Sequence, residues 1–241
     1  MFDNNDYKLY LDDCFNVLKE MPKNYVDLIL VDPPYFISRK TDFTNGGNGA
    51  KYGKFEMDFG QWDKEKDNIN FYKLMEEFKR VCKQGGTIIM FYDIFKITEI
   101  YNIATELKLK QPRIGFWTKT NPVPVNARIN YLSNSREYFI CFCKGKKNTF
   151  NSYYDRAEYN YPIVGGKEKT IHPTQKPIKL MEDLINTHTN EGDIVLDCFM
   201  GSGSTGIGCM NLGRKFIGVE IDEKYFNIAK ERIENSILRE D

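Results

Sequence analysis

Asp27-Leu28-Ile29-Leu30-Val31-Asp32-Pro33-Pro34-Tyr35-Phe36 is a run of branched apolar residues that stops at a carboxylate, two prolines and an aromatic ring. An apolar run bounded in this way reads as a strand buried on both faces, the kind found in parallel sheets. Neither proline has an N–H to donate, so strand becomes loop at Asp32. In an open α/β sheet that places Asp32 and Tyr35 at the carboxyl edge, where ligands bind. A plain strand exit would use the same residues, and a second stretch separates the two readings.

That stretch is Val195-Leu196-Asp197-Cys198-Phe199-Met200-Gly201-Ser202-Gly203-Ser204-Thr205-Gly206. Its glycines are spaced G-x-G-x-x-G between a predicted strand and a predicted helix, and the next strand ends at Glu220, about 20 residues after the first glycine. The spacing lets backbone approach a ligand at a helix N-terminus, with a carboxylate placed for ribose hydroxyls. NAD, FAD and S-adenosylmethionine all carry an adenosine ribose, so the pattern alone does not choose among them.

Outward from these two stretches, Tyr7 to Leu11 reads as a strand. Asp12-Asp13 caps a helix with the core stripe Phe15, Leu18 and Met21, ended by Pro22. Residues 37–70 carry Gly46, Gly47, Gly49, Gly53 and Gly60 in a polar segment without sustained period, the length of a functional loop. Phe71, Leu74, Met75, Phe78 and Val81 restore helical spacing, Gly85-Gly86 reads as the helix stop, and Thr87 to Tyr92 as a strand. Ile94 to Leu109 is a predicted helix; Ile114 to Thr118 and Tyr138 to Cys143 are predicted strands flanking the loop Asn121-Pro122-Val123-Pro124. Residues 144–171 are tyrosine-rich and weakly patterned. Pro177 to Thr187 follows as a helix facing the core with Ile178, Met181, Leu184 and Ile185. Ile194 to Leu196 and Lys215 to Val219 are strands, and Ser204 to Leu212 is a helix. A final helix runs from Glu223 to Leu238, capped by Asp222, with the stripe Phe226, Ala229, Ile233 and Ile237. Seven strands alternating with helices predict an α/β, doubly wound, mostly parallel sheet. The expected organisation is a single domain, 1–241, with 37–70 and 144–171 as insertions for target recognition.

Composition narrows the class. Hydrophobic residues make up 41% of 241, enough for a core without staples. The six cysteines lie in apolar segments without a CxxC pair, and only two histidines accompany them, so neither a disulfide framework nor a metal site is expected. The chain opens without a basic apolar leader and contains no apolar run near the roughly 20 residues of a membrane span, which points to a cytoplasmic protein. Lys and Arg balance Asp and Glu at 34 each, so binding to a polyanion would rest on local basic patches.

Three motifs in order, Asp32-Pro33-Pro34-Tyr35, His172-Pro173-Thr174-Gln175-Lys176-Pro177 and Asp197-Cys198-Phe199-Met200-Gly201-Ser202-Gly203, resemble those of the DNA amino-methyltransferases of restriction-modification systems. The catalytic motif precedes the cofactor glycines, the order of the permuted β class. Lys119-Thr120-Asn121-Pro122, the Glu137 to Cys143 strand and Asp13-Cys14 also look like that class, so the likeness covers nearly the whole chain. It implies a circularly permuted, Rossmann-like S-adenosylmethionine-dependent methyltransferase fold, seven-stranded with one antiparallel hairpin strand. By the same likeness Asp13 and Cys14 lie near the cofactor adenine, Gly201, Ser202 and Gly203 line the methionine part, Glu220 binds the ribose, and Thr174 and Lys176 help hold the amino-acid end. Asp32, His172, Asp197, Phe199, Ser204 and Ile221 are further implied cofactor contacts. Ser204 stands where the family commonly has threonine, and the hydroxyl survives. Implied partners are DNA, double-stranded and also single-stranded, a cognate restriction endonuclease and a second copy of the chain, with no membrane.

The chemistry explains the first motif. An exocyclic amino group on a base is a poor nucleophile because its lone pair is delocalised into the ring. Two acceptors, the Asp32 carboxylate and the Pro33 carbonyl, would draw that nitrogen toward tetrahedral geometry, and the fixed φ of Pro33 and Pro34 restricts the carbonyl's direction. The base must leave the duplex stack and rest on an aromatic face, the role assigned to Tyr35. Attack on the sulfonium methyl then depends mainly on positioning. A 5-methylcytosine enzyme would need a cysteine nucleophile, typically in a Pro-Cys pair, which the chain lacks. For donor and base to meet, the strands ending at Asp32 and Asp197 should be neighbours at the switch point. DNA phosphates are expected to meet Arg39, Lys40, Lys51, Lys54, Arg128, Lys144, Lys146 and Lys147, with Arg156, Lys167 and Lys169 nearby in the second insertion. Aspartate opening the motif leans to adenine N6, since cytosine-N4 members mostly open it with serine. Competing readings are a cytosine-N4 enzyme, an RNA or protein-glutamine methyltransferase, a nicotinamide-dependent oxidoreductase and a non-catalytic nucleic-acid-binding module. The oxidoreductase leaves Asp32 to Tyr35 and His172 to Pro177 unexplained, and the module has no use for a cofactor pocket.

Overall fold

A computed structural model of the chain describes residues 2–3, 5–34, 69–122, 132 and 134–238. Met1–Pro33 with Asn70–Asp241 form one compact unit and Pro34–Ile69 a second. Tyr35, Arg39, Lys40, Lys51, Lys54 and Arg128 lie outside the described residues.

In chain order the elements are β1 (Phe2–Asp3), β2 (Tyr7–Leu11), α1 (Cys14–Glu20), β3 (Val26–Val31), α2 (Phe71–Val81), β4 (Cys82–Tyr92), α3 (Ile97–Glu106), β5 (Lys110–Lys119), β6 (Arg136–Cys143), β7 (Glu158–Tyr161), α4 (Ile178–His188), β8 (Ile194–Asp197), α5 (Ser204–Asn211), β9 (Lys215–Glu220) and α6 (Glu223–Ile237). Among the described residues the strands make one sheet of nine, in the order β1-β2-β9-β8-β3-β4-β6-β5-β7. From β2 to β4 the neighbours run parallel, and β6 runs against both β4 and β5. The seven expected strands are present, with β6 as the antiparallel one. Two short edge strands bring the count to nine: β1, antiparallel to β2, and β7, parallel to β5. Neither is long enough to show a period in sequence.

The crossovers place the helices. β8 passes the chain to β9 in one direction along the sheet, while β3 passes it to β4 in the other. Right-handed connections therefore put α5 and α2 on opposite faces. Packing agrees, since α2 meets α1 and α3 while α5 meets α4 and α6. The reversal lies between β3 and β8, which pair through Leu28 with Val195 and Ile29 with Leu196. This junction is the switch point at which an open sheet leaves a crevice.

The core follows the periodicities. Leu28, Ile29 and Leu30 are fully buried, as are Leu74, Met75, Phe78 and Val81 along α2. Each such side chain contributes about 1.5–3 kcal/mol. Of the expected stripe Leu18 and Met21 are buried and Phe15 is only half-buried, while Cys14 and Val17 also face inward. Gly85-Gly86 does not stop a helix. α2 ends at Val81, β4 begins at once, and the glycines occupy a bulge where the pairing steps from Val26 opposite Cys82 to Leu28 opposite Thr87. A Cβ on Gly86 would lie 2.6 Å from Cys82 Sγ and 2.7 Å from the Asp27 carbonyl oxygen, so only glycine lets the two strands close there.

Candidate active site

Three adjacent parallel strands, β9, β8 and β3, finish in or beside carboxylates: Glu220, Asp197 and Asp32. Asp197 is buried, accepting the Phe199 N–H at 3.0 Å and the Thr205 hydroxyl at 2.7 Å. Burial pushes its carboxyl up to about 7 against those two hydrogen bonds, and the nearby Asp32 and Glu220 push the same way. Glu220 accepts the Gly201 N–H and the Asp222 N–H, each at 2.9 Å, and burial raises its pKa as well. An edge that gathers acids at this density suits a cationic ligand.

The glycine loop bridges β8 and α5. Gly201 and Gly203 have φ of +50° and +80°, the left-handed region that side chains resist. A Cβ on Gly201 would stand 2.8 Å from His172 Nε2, and one on Gly203 2.9 Å from Ala229 Cβ. Gly206 serves packing, because a Cβ there would come within 2.5 Å of Ile233 Cδ1 and 2.8 Å of the Phe216 ring. The Ser204 hydroxyl donates to the Lys176 carbonyl at 2.8 Å, tying the 172–177 loop to the first turn of α5. The threonine usual at this position would offer the same donor.

Within the 172–177 loop, Gln175 accepts from the Thr170 N–H and hydroxyl and donates to the Glu168 carbonyl. The His172 ring meets Tyr225 edge-on at 4.5 Å, and burial, with Lys176 and Arg232 adding to it, lowers its pKa to about 4. Its Nδ1 is buried without a hydrogen-bond partner among the described residues. Lys176 carries its ammonium inward, the side chain only 4% exposed. It pairs with Asp32 and stands 3.1 Å from Glu137 Oε2, while Glu137 Oε1 lies 2.6 Å from Lys119 Nζ. Burial alone would raise Glu137; Lys176 and Lys119 outweigh it and hold the carboxyl below its ordinary value. The two carboxylates likewise outweigh burial and raise Lys176. Removing one member of such a buried pair costs about 3–5 kcal/mol.

The expected site residues that are described fall into four groups. Asp32, Pro33, His172, Lys176, Asp197, Gly201, Ser202, Gly203, Ser204 and Glu220 collect at the carboxyl ends of β3, β8 and β9. Asp13 and Cys14 open α1 just beyond β2, where the Asp12 N–H donates to the Glu220 carbonyl at 3.1 Å. Asp13 spends its carboxylate on capping the Phe15 N–H, and burial pushes the Cys14 thiol up to about 12, which leaves it unreactive. Thr174 and Phe199 are half-buried, and Ile221 is 66% exposed in the turn after β9. Lys144, Lys146 and Lys147 stand apart from these. β6 runs away from the carboxyl edge, and Lys144 Nζ is held at 2.8 Å by Asn24 and 2.7 Å by the Cys82 carbonyl, at the amino ends of β3 and β4. Glu137 and Phe91 are the site groups to which sequence reasoning gave no role. An acidic residue opening an otherwise apolar strand was the available signal for Glu137.

A glycine loop in left-handed backbone between β8 and α5, a carboxylate closing β9 and a cluster of acids fit a cationic cofactor that carries a ribose. A family model described as DNA methylase matches residues 26–231. The chain is 33% identical to the Type II methyltransferase M2.DpnII of Streptococcus pneumoniae, over 97% of this chain and 91% of the other. A crystal structure of M1.HpyAVI in complex with SAM is similar with a TM-score of 0.69 and 31% identity, covering 94% of this chain and 99% of the other. The cytosine-N4-specific PvuII DNA methyltransferase shares the fold at a TM-score of 0.69 and 17% identity, over 98% of this chain and 93% of the other.

Proposed function

The chain belongs to the DNA methylase family, and from that premise we propose a site-specific enzyme that methylates the N6 amino group of a flipped-out adenine. It is an S-adenosylmethionine-dependent methyltransferase that acts on DNA. The observation that carries the reading is Asp32 held beside the glycine loop at the switch point, one strand from Asp197. The cofactor supplies an electrophilic methyl group. Gly201 to Gly203 would bring backbone against it, Glu220 would accept from ribose hydroxyls, and Asp197 favours its positive charge. Asp32 and the Pro33 carbonyl accept the two amino N–H bonds of the base, and Tyr35 stacks on its ring. The fold does not choose the base, since a cytosine-N4-specific enzyme shares it. Aspartate at position 32 supports adenine. The substrate in this reading is double-stranded DNA in a restriction-modification setting, with phosphates met by Arg39, Lys40, Lys51, Lys54 and Arg128.

Methyl-tritiated S-adenosylmethionine and unmethylated genomic DNA test the division of roles. Asp32→Ala should abolish labelling of DNA while cofactor affinity stays within about twofold. Glu220→Ala should weaken cofactor binding by about 10- to 100-fold, the worth of a charge-assisted hydrogen bond. Equal loss of cofactor affinity in both variants would contradict the assignment.

A further inference from the structure

β6 runs against β4, pairing Tyr138 with Tyr92 and Cys143 with Thr87, so Arg136 and Glu137 lie at the edge where β3 and β4 end. There the charges alternate from Lys119 through Glu137 and Lys176 to Asp32, two positive and two negative. The Phe91 ring lies 5.0 Å from the Lys176 ammonium. We propose that Glu137 is a positioning residue for methyl transfer: from β6 it holds the Lys176 ammonium, and Lys176 in turn fixes the Asp32 carboxylate at the end of β3. The inference rests on Asp32 acting on the target amino group.

The physical need is geometric. A lysine ammonium is a compact charge on a flexible stem of four carbons, and one carboxylate partner leaves it free to pivot. Glu137 supplies a second anchor from a different strand, and the Phe91 ring occupies a further side. Lys119 pairs with the remaining Glu137 oxygen, so these four charges sum to zero. An acceptor displaced by about 1 Å costs about 100-fold in rate, which is the error this clamp prevents.

Glu137→Gln keeps shape and removes the charge. It should lower kcat by about 10- to 100-fold while KM for DNA and cofactor affinity change by less than about threefold. In a Lys176→Met background the same substitution should cost nothing further, because it acts through Lys176. Lys119→Gln, on the far side of Glu137, should show a smaller loss in the same direction, and it carries the test if Lys176→Met does not fold. Wild-type kcat in Glu137→Gln with only a lowered melting temperature would overturn the inference. Parallel loss of cofactor affinity and kcat, or full additivity with Lys176→Met, would overturn it as well. Asp32→Ala separates the two levels. Activity in that variant contradicts the role of Asp32 itself, whereas an inactive Asp32→Ala beside a wild-type Glu137→Gln sinks only the role of Glu137.

Discussion

Asp197 shows what residue-scale physics adds to a motif. Its position was legible because the glycine spacing fixes where the preceding strand must end, but its titration depends on burial, which no motif states. With the folded carboxyl near 7 and the ordinary value at 3.8, the unfolded chain gives up this proton first. Stability from this group therefore falls as pH rises from about 4 to about 7 and is flat above that. Asp197→Asn mimics the protonated form, so its melting temperature should gain on wild type between pH 5 and pH 8, by several degrees for about 2–3 kcal/mol. His172 and His188, both lowered to about 4 by burial, lose stability as pH falls, but they do so in both proteins and cancel in the difference. A constant difference across that range, measured by thermal denaturation without cofactor, would refute the assignment. The sequence marks Glu137 as an acid opening an apolar strand but assigns it no partner, because Lys176 belongs to a distant loop and only the pairing of β6 with β4 brings their edges together.

Between β8 and α5, element-scale reasoning from sequence worked because each glycine answers to a backbone constraint. Gly203→Ala would force an L side chain into φ +80° and put its Cβ 2.9 Å from Ala229 Cβ and 3.0 Å from Ala229 Cα, where α6 cannot yield cheaply. The expected loss is about 2–4 kcal/mol, with cofactor affinity falling too. Gly165→Ala is the control, since nothing lies within 4 Å of its added Cβ, and it should stay within about 0.5 kcal/mol. Chemical denaturation of both variants checks the contrast, and equal midpoints would remove the packing argument. Gly85-Gly86 shows the limit of the method. Two glycines after an amphipathic helix carry the same local signal whether they cap it or fill a bulge, and only the register of β4 against β3 distinguishes them.

At the scale of the whole molecule, sheet order decides which motifs can cooperate. The permuted chain brings residues 32, 176 and 197 to one edge because β3 and β8 are neighbours and the loop before α4 reaches both. That adjacency was predictable from the need for donor and base to meet. The direction of β6 is not a map of charges that sequence alone supplies, which is why Lys144 is expected among the phosphate contacts although it lies at the edge opposite Asp32. The central claim is that this edge moves a methyl group to adenine N6 through Asp32. Unmethylated DNA treated with the chain and S-adenosylmethionine, digested to nucleosides and analysed by mass spectrometry, tests it most directly. The account predicts N6-methyladenine with the wild-type chain and none with Asp32→Ala; N4-methylcytosine without N6-methyladenine would contradict it.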